Sequence, residues 1–275
     1  MSSVVSAYNL IVQNQNNTIK SVVEPTDTPH QTEAKSPKPS ASPSALTFAQ
    51  MQKIYGPCTV TPVIFYHHIQ DLVTSKKKGQ TALSTTPEFL KAHLSYIQKS
   101  GYNIVTPNDL ADFFNSGKQL PSKSIILSFD DGYEDFYTVA YPILKEFNVH
   151  ATLFLPTGLV GNNDYLNWDQ VTEMANSGLV YIANHTWSHH PMSDLKTADS
   201  EIGTAHKQLA DRSLNSAKSF AYPYGTYNYA AEVKLSNLGY SSAFTTQYGK
   251  TLCKQKRFML PRVRVSDGAL SNYGL

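Results

Sequence analysis

From about residue 59 onward, short apolar segments alternate with segments of helical spacing, and this alternation limits the fold more than any other feature. Segments 124–129 (SIILSF), 151–156 (ATLFLP) and 179–184 (LVYIAN) carry most of their apolar residues at consecutive positions. Such segments are typical of strands buried on both faces, as in parallel sheets covered by helices. The alternation therefore predicts an α/β fold with a parallel sheet.

The number of repeated units favours one closed form of this fold. About seven βα units in roughly 215 residues favour a barrel over an open doubly wound sheet. No glycine-rich dinucleotide fingerprint or phosphate loop follows a predicted strand, which excludes the commonest uses of an open sheet. The predicted strands are 60–67, 103–106, 124–129, 151–156, 179–184, 218–223, 241–246 and 258–265, and the predicted helices are 45–55, 86–101, 107–117, 134–147, 168–178, 198–212 and 228–238.

The N-terminal part of the chain has a different composition. Residues 24–45 contain five prolines among serine and threonine and no large apolar residue, so this segment cannot bury enough surface to offset the entropy of ordering it. We expect residues 1–57 to be a linker with a short helix near 45–55, and residues 58–275 to be the folded domain. No complete signal peptide is visible. Because such linkers commonly follow an anchor, we expect an exported protein whose export segment or membrane or wall anchor is missing from this sequence.

Composition and the two cysteines narrow the class of protein. Charged residues are 16% of the chain, whereas 17 Tyr and 12 Phe are many, which favours an extracellular carbohydrate-active protein. The net charge is +2 without a long basic run, so nucleic-acid binding has little electrostatic support. Cys58 and Cys253 fit no zinc motif. They lie near the two ends of the predicted domain, and either a disulfide formed outside the cell or two buried thiols fits that position.

Polar residues follow four of the predicted strands at the point where each strand ends. They are Asp130-Asp131-Gly132 after 124–129, His185 and His189 after 179–184, Tyr224-Gly225 after 218–223, and His67-His68 after the apolar residues 63–66 of the first strand. In parallel α/β folds the carboxyl ends of the strands carry the functional groups. Each group alone is more often a turn or a solvated face, but their joint position at strand ends predicts one site.

The residue types in this predicted site favour metal-assisted hydrolysis. Two adjacent carboxylates, Asp130 and Asp131, repel each other unless a divalent cation is present, and neighbouring side chains on an extended chain point in opposite directions. The spacing of His185 and His189 would place both imidazoles on one face of a helical turn. Two histidines and one aspartate leave coordination positions open, as in catalytic zinc sites. The metal would polarise a carbonyl group and activate water.

Three of these segments resemble known motifs. SFDDGYED (128–135), NHTWSHHPMSDL (184–195) and FAYPYGTYN (220–228) are similar to the first three motifs of the polysaccharide deacetylases, the NodB-homology family of carbohydrate esterases. The final LPR (260–262) also matches, and the resemblance covers residues 60 to 270. It implies a deformed (β/α)7 barrel that removes acetyl groups from N-acetylated sugars with the help of a divalent metal.

The resemblance also implies roles for individual residues. Asp130 would be the general base. Pro223 and Tyr224 would form a wall of the substrate groove, with the Tyr224 N–H helping to bind the oxyanion. The metal ligands would be Asp131, His185 and His189, with the neighbouring His190 a spectator that could replace His189. The metal would be Zn²⁺ by this ligand set, with Co²⁺, Ni²⁺ and Fe²⁺ as alternatives.

The chain departs from the family pattern in two places. Many members have an arginine in the third motif and a histidine in the last one, and this chain has neither. Both absences resemble the subgroup that deacetylates poly-β-1,6-N-acetylglucosamine, an exported biofilm polymer, as does Tyr66-His67 after the first strand. We therefore expect Arg262 to hold Asp130 ionised. His67 is the candidate proton donor to the leaving amine, although a structural role fits it equally.

Several alternatives remain open from the sequence. Trp187 would either stack on a sugar or pack against the protein. The substrate could instead be peptidoglycan, chitin oligomers or acetylated xylan. A saccharide-binding module without activity would have lost a ligand or the base, and this chain keeps all four residues. A cytosolic hydrolase of small N-acetyl compounds would lack the Pro/Ser-rich segment.

Overall fold

A computed structural model of the chain describes residues 46–194 and 196–275. Residues 1–45 of the predicted N-terminal linker segment (1–57) lie outside the described residues. The strands are β1 (Cys58–Val60), β2 (Val63–Tyr66), β3 (His68–Ile69), β4 (Ser84–Thr85), β5 (Asn103–Ile104), β6 (Ser124–Asp130), β7 (Ala151–Leu155), β8 (Val180–Asn184), β9 (Ser219–Ala221), β10 (Ser242–Tyr248), β11 (Thr251–Cys253) and β12 (Leu260–Arg264). The α-helices are α1 (Phe48–Tyr55), α2 (Leu72–Lys77), α3 (Pro87–Lys99), α4 (Pro107–Ser116), α5 (Tyr141–Phe147), α6 (Trp168–Asn176), α7 (Ala198–Ala210) and α8 (Tyr229–Asn237).

Seven parallel strands close into a barrel. Their order is β2, β6, β7, β8, β9, β10 and β12, and β12 pairs with β2 to complete the ring. The prediction of a parallel (β/α)7 barrel is therefore confirmed. The sequence prediction was wrong about the strand at 103–106, because only Asn103–Ile104 is extended and it pairs outside the ring with β6. The predicted strand 60–67 was also too long, since β1 and β2 are separate strands.

Each barrel strand contributes one side chain to a single buried apolar cluster that fills the barrel below the site. These side chains are Val63, Ile126, Phe154, Ala183, Ala221, Phe244 and Leu260. Leu110, Phe113 and Phe114 of α4 belong to the same cluster. A second cluster contains Ile125 and Leu127 together with side chains of α3 and α5, and therefore lies between the strands and the helices. Neighbouring residues of β6 thus face opposite layers, as the pleat requires.

Local sequence signals place the helices that cover the barrel. The side chains of Thr86, Thr106, Asn167 and Asn228 accept a backbone N–H as N-caps of α3, α4, α6 and α8, which satisfies donors that helix starts leave open. Proline follows Thr86 and Thr106 at the first helical turn, where its missing N–H costs nothing. Within the described residues, no helix is both long enough and apolar enough to span a bilayer.

A disulfide joins Cys58 to Cys253. Of the two alternatives that the sequence left open, the structure therefore contains the disulfide and not two buried thiols. The two residues are Cα partners in the antiparallel pair β1–β11, outside the barrel. The bond closes a loop across a sequence separation of 195 residues. It therefore ties the start of the barrel to the segment just before its last strand. Such a crosslink restricts the unfolded chain.

Candidate active site

The carboxyl ends of the barrel strands surround a cavity of about 600 Å³. Six of the predicted site residues line it: His67, Asp130, Asp131, His185, His189 and Tyr224. The remaining lining residues are Phe65, Leu83, Tyr133, Tyr165, Tyr222, Thr246 and Arg264. The structure thus brings polar residues from four strand ends to one cavity.

Asp131, His185 and His189 form a group with the geometry of a metal site. The Oδ1 atom of Asp131 lies 3.3 Å from Nε2 of His185 and 3.0 Å from Nε2 of His189. This buried oxygen has no aligned hydrogen bond. Ligand atoms around a tetrahedral zinc ion are about 3.3 Å apart, so both separations suit one divalent cation.

The tautomer of His185 supports the same conclusion. Its Nδ1 lies 2.8 Å from the carbonyl oxygen of Ala221, and a carbonyl only accepts, so Nδ1 carries the proton. In the neutral ring, Nε2 then carries a lone pair that is directed at the Asp131 carboxylate oxygen. This contact is repulsive unless a cation lies between the two atoms. A backbone carbonyl that fixes the second nitrogen is also the usual arrangement for a metal-binding histidine.

The backbone around Asp131 is held in a left-handed turn. Asp131 has φ of 77° and Gly132 has φ of 69°. A Cβ at Gly132 would lie 2.5 Å from the Leu155 side chain, so this turn requires glycine. Strained backbone of this kind is concentrated at functional sites, and here it directs Asp131 toward the imidazoles while Asp130 continues the strand.

The sequence interpretation was wrong about how His185 and His189 come together. They do not lie on a helical turn, because residues 185–190 form a loop in which Thr186 and His189 have φ of 70° and 60°. Glu201 of α7 holds this loop, since its carboxylate accepts hydrogen bonds from the backbone N–H groups of Trp187 and Ser188 and from the Ser188 hydroxyl.

Glu201 is a residue that the sequence interpretation missed. It is 6% exposed and shares the buried face of α7 with Ala198, Ile202 and Ala205. An acidic residue on an otherwise apolar helical face was the available signal, because a buried carboxylate needs several donors. His190, by contrast, is exposed and is not in the ligand group found among the described residues.

Asp130 forms a buried bidentate ion pair with Arg262. Nη1 of Arg262 donates to Oδ1 at 2.8 Å, and Nη2 donates to Oδ2 at 2.7 Å. Arg262 is 0% and Asp130 is 3% exposed, and the guanidinium lies 4.1 Å from the ring centroid of Phe65. Burial alone would raise the pKa of Asp130, but the charge and hydrogen bonds of Arg262 outweigh it and lower the pKa below its usual value.

His67 lines the cavity and is partly buried. Burial lowers the pKa of His67, although the negative charges of Asp130 and Asp131 oppose this shift. Its ring lies edge-on to Phe65, with centroids 5.7 Å apart. A neutral imidazole in a cavity with two carboxylates can carry a proton in either direction.

The third motif forms a tight turn at the edge of the cavity. Tyr224 has φ of 58°, and a Cβ at Gly225 would lie 2.1 Å from the Thr246 hydroxyl oxygen, so glycine is required there. Tyr224 is 63% exposed, and its ring lies edge-on to the His189 ring with centroids 4.8 Å apart. Pro223 is buried within this turn and does not line the cavity.

Trp187 does not line the cavity either. Its indole ring occupies the space beside Gly158, where a Cβ would lie 2.5 Å from Nε1. The sequence left stacking on a sugar and packing against the protein as alternatives. The structure places the ring in packing contact, with 42% of the residue exposed.

A second pair behind the cavity was not predicted. Nδ1 of His68 lies 2.6 Å from Oδ2 of Asp135, and the His68 ring stacks on Tyr133 with centroids 3.7 Å apart. Burial, and next the charge of Asp131, raise the pKa of Tyr133. Tyr133 is therefore a neutral phenol, and it lines the cavity together with Asp131.

Sequence comparison identifies the family. The polysaccharide deacetylase profile matches residues 117–243. Protein YxkH of Bacillus subtilis (strain 168), which is named for these deacetylases, is 30% identical over 209 residues, covering 75% of this chain and 72% of that protein. The chain belongs to the polysaccharide deacetylase family. Its members are hydrolases, and this deacetylase is one of them.

Other relatives of this deacetylase have more specific names. Two proteins named poly-beta-1,6-N-acetyl-D-glucosamine N-deacetylase are similar to it. The one from Staphylococcus aureus (strain MRSA252) is 26% identical over 72% of this chain and 73% of its own length. The one from Escherichia coli (strain K12) is 27% identical over 74% of this chain, and the chain spans only 36% of that protein.

Solved structures share the fold of this deacetylase. The Streptococcus pyogenes deacetylase PplD, solved in complex with acetate, superposes with a TM-score of 0.68 at 26% identity over 75% of this chain and 92% of that one. IcaB from Ammonifex degensii superposes with a TM-score of 0.66 at 23% identity over 78% and 94% of the two chains. The second likeness concerns the fold alone.

Proposed function

We propose that this deacetylase removes acetyl groups from the N-acetylglucosamine residues of poly-β-1,6-N-acetylglucosamine outside the cell. The buried Asp130–Arg262 pair beside the three-ligand group is the observation that carries the proposal. It supplies an ionised base next to a cation site without the arginine of the usual third motif. Two similar proteins are named for this polymer.

Asp131, His185 and His189 would hold the metal in this proposal, with Zn²⁺ preferred for two imidazoles and one carboxylate. When bound, the metal polarises the acetyl carbonyl group and makes water more acidic. The Ala221 carbonyl keeps Nε2 of His185 free to bind. Glu201 keeps the loop that carries His189 in place through the backbone of the two residues before it.

Asp130 would act as the general base. Because Arg262 lowers its pKa, Asp130 is ionised at neutral pH and can accept a proton from the attacking water. The bidentate pair also fixes the orientation of the carboxylate, so that its remaining lone pairs face the cavity. The backbone N–H of Tyr224, at the edge of the cavity, would stabilise the oxyanion.

His67 would deliver a proton to the leaving amine. An amine departs from a tetrahedral intermediate only when it is protonated, and His67 lines the cavity together with both aspartates. Its pKa is lowered by burial, so it releases a proton to the amine readily. It would then be reprotonated by the proton that Asp130 accepted from water. Trp187 and Pro223 have no direct part in this scheme.

The disulfide supports an extracellular location for the proposed reaction. Disulfides persist mainly in oxidising compartments, and the polymer is an exported one. The division at residues 57 and 58 into a linker and a catalytic domain belongs to the same proposal. No partner other than the polysaccharide is needed.

Acetate release from purified polymers tests the proposal. We expect release from poly-β-1,6-N-acetylglucosamine that a chelator abolishes and added Zn²⁺ or Co²⁺ restores. Asp130→Asn should lower turnover by at least about a hundredfold, as expected for loss of a general base, while retaining bound metal. Release only from peptidoglycan, chitin oligomers or acetylated xylan would overturn the substrate assignment, and chelator-insensitive release would overturn the metal assignment.

A further inference from the structure

A second groove lies beside the catalytic cavity. It has a volume of about 420 Å³ and is lined by α1, the end of β10, β11 and the start of β12. Its lining is aromatic, apolar and basic, and consists of Leu46, Met51, Tyr55, Gln247, Tyr248, Gly249, Lys250, Thr251, Cys253, Lys256, Met259 and Pro261. None of these residues has a role in the mechanism proposed above.

The two depressions adjoin along the end of β10. Thr246 lines the catalytic cavity, whereas Gln247 and Tyr248 line the groove. At a strand rise of 3.3 Å per residue, Thr246 and Tyr248 are roughly 7 Å apart, which is the scale of one sugar unit. A polysaccharide with one unit in the cavity would therefore reach Tyr248 with a neighbouring unit.

The pairing of β10 with β12 is irregular near the end of β10 that lines the groove. The pairing of β10 with β12 changes register between Phe244 and Tyr248, so four residues along β10 match two along β12. Bulges of this kind redirect side chains beside active sites. The register also makes Tyr248 the Cα partner of Arg262, the residue that holds Asp130. Arg262 thus links the position of Tyr248 in the groove to the position of the catalytic base.

Tyr248 is an exposed aromatic ring with a fixed position. Tyr248 is 69% exposed, yet its hydroxyl donates a hydrogen bond to the carbonyl oxygen of Tyr273 at 3.2 Å. A ring that is already held loses little entropy when a ligand packs on it. The C–H face of a pyranose packs on such a ring.

The charge of the groove selects the kind of sugar unit. Lys250 and Lys256 line it, and no acidic residue does so among the described residues. Lys256 lies 4.2 Å from the ring centroid of Tyr55, and Lys250 donates to the Gly274 carbonyl, so both ammonium groups are held. A deacetylated unit carries an ammonium group and is repelled, whereas an acetylated unit is neutral.

We propose that this groove is a second saccharide subsite, in which Tyr248 packs against an acetylated sugar unit next to the one being deacetylated. This inference rests on the proposed function, because it requires the substrate to be an N-acetylated polysaccharide. The subsite makes activity depend on chain length and on the acetylation of the neighbouring unit.

Oligomers of β-1,6-linked N-acetylglucosamine of increasing length test the subsite. For Tyr248→Ala, the ratio of kcat/KM on long oligomers to that on the disaccharide should fall roughly tenfold, the loss expected for truncating an aromatic contact. Tyr248→Phe keeps the ring and should stay within about threefold of the wild-type ratio. Tyr229→Ala removes another exposed tyrosine, 61% exposed at the start of α8 and outside both depressions, and should leave the ratio unchanged.

Binding measured without turnover separates this inference from the proposed function. In the presence of a chelator, calorimetry should show that long acetylated oligomers bind wild type roughly tenfold more tightly than Tyr248→Ala, and that fully deacetylated oligomers bind more weakly. Equal ratios and equal affinities in Tyr248→Ala and Tyr229→Ala would overturn the subsite, as would preferential binding of deacetylated oligomers. Tyr248-dependent binding without any acetate release would overturn the proposed function but not the subsite.

Discussion

Replacing Arg262 with methionine should leave a buried carboxylate without its cation. In the wild-type protein, two charge-assisted hydrogen bonds of 2.7 and 2.8 Å join Arg262 to Asp130, and neither residue is more than 3% exposed. Removing one partner of such a pair costs about 3–5 kcal/mol of stability. For a domain of this size, about 2–4 °C per kcal/mol converts this loss into a fall in Tm of about 6–20 °C.

The same substitution should change the pH dependence of activity in a defined direction. Asp130 has a lowered pKa in the wild-type protein, so kcat/KM should decline only when the pH falls well below neutrality. Without Arg262, burial becomes the dominant influence and raises the pKa of Asp130. The acidic limb of the kcat/KM profile should therefore move to higher pH. Arg262→Lys keeps the charge but not the bidentate geometry, so its limb should lie between the other two.

A double-mutant cycle separates this pair from general damage to the barrel. Urea unfolding at neutral pH of wild type, Arg262→Met, Asp130→Asn and the double variant gives the coupling free energy. We expect the double variant to be more stable than Arg262→Met, because it contains no unpaired buried charge. A coupling free energy within about 0.5 kcal/mol of zero, together with an Arg262→Lys profile identical to that of the wild type, would refute the reasoning.

Three further predictions address other parts of the molecule. His67→Ala should slow hydrolysis of N-acetyl groups by about a hundredfold. It should scarcely change the hydrolysis of para-nitrophenyl acetate, whose leaving group needs no proton. Equal effects on the two substrates, or full turnover of both, would remove His67 from the mechanism. Changing Cys58 and Cys253 together to serine should cost about 2–5 kcal/mol in urea unfolding, and two titratable thiols in the native wild-type protein would contradict this. Burial lowers the pKa of His93, whose two ring nitrogens lie 3.0 Å from the Tyr66 hydroxyl and 2.6 Å from the Gly268 carbonyl. The native state therefore favours neutral His93. The contribution of His93 to the free energy of unfolding is complete above an unfolded-state pKa of about 6.5, and it is lost as the pH falls through the lower folded-state pKa. The loss of stability between neutral and acidic pH should accordingly be smaller in His93→Gln than in wild type, and an identical pH profile would contradict it.

Much of the fold could be predicted because burial leaves a direct record in the sequence. The consecutive apolar residues of β6, β7 and β8 identify strands covered on both faces, and prolines and capping residues mark where α3 and α4 begin. The short strand β9 has only three residues, Ser219–Ala221, and its true length depends on its neighbours. The limited extent of β5 likewise follows from a pairing outside the ring, which the residues themselves do not encode.

The candidate site was predictable to the extent that it lies at strand ends. Asp130, Asp131 and His185 are placed by the strands that precede them, so their meeting follows from the barrel. The position of His189 does not, because the loop before it is shaped by Glu201, which is distant in sequence. The groove at Tyr248 depends on a change of register between two strands, and no local pattern in the sequence indicates it.

Asp130 and Asp131 are adjacent in sequence yet lie in opposite electrostatic surroundings. The pleat of β6 directs Asp130 toward Arg262, which reaches across Phe65 of β2 from β12, because β12, β2 and β6 are neighbours in the ring. The left-handed turn at Asp131 directs the second carboxylate toward two imidazoles instead. One carboxylate is therefore neutralised by a fixed cation of the protein, while the other needs an exchangeable one. A closed barrel allows the arginine to come from any strand whose end reaches Asp130, so the missing arginine of the third motif can be replaced by one from β12 without moving the base.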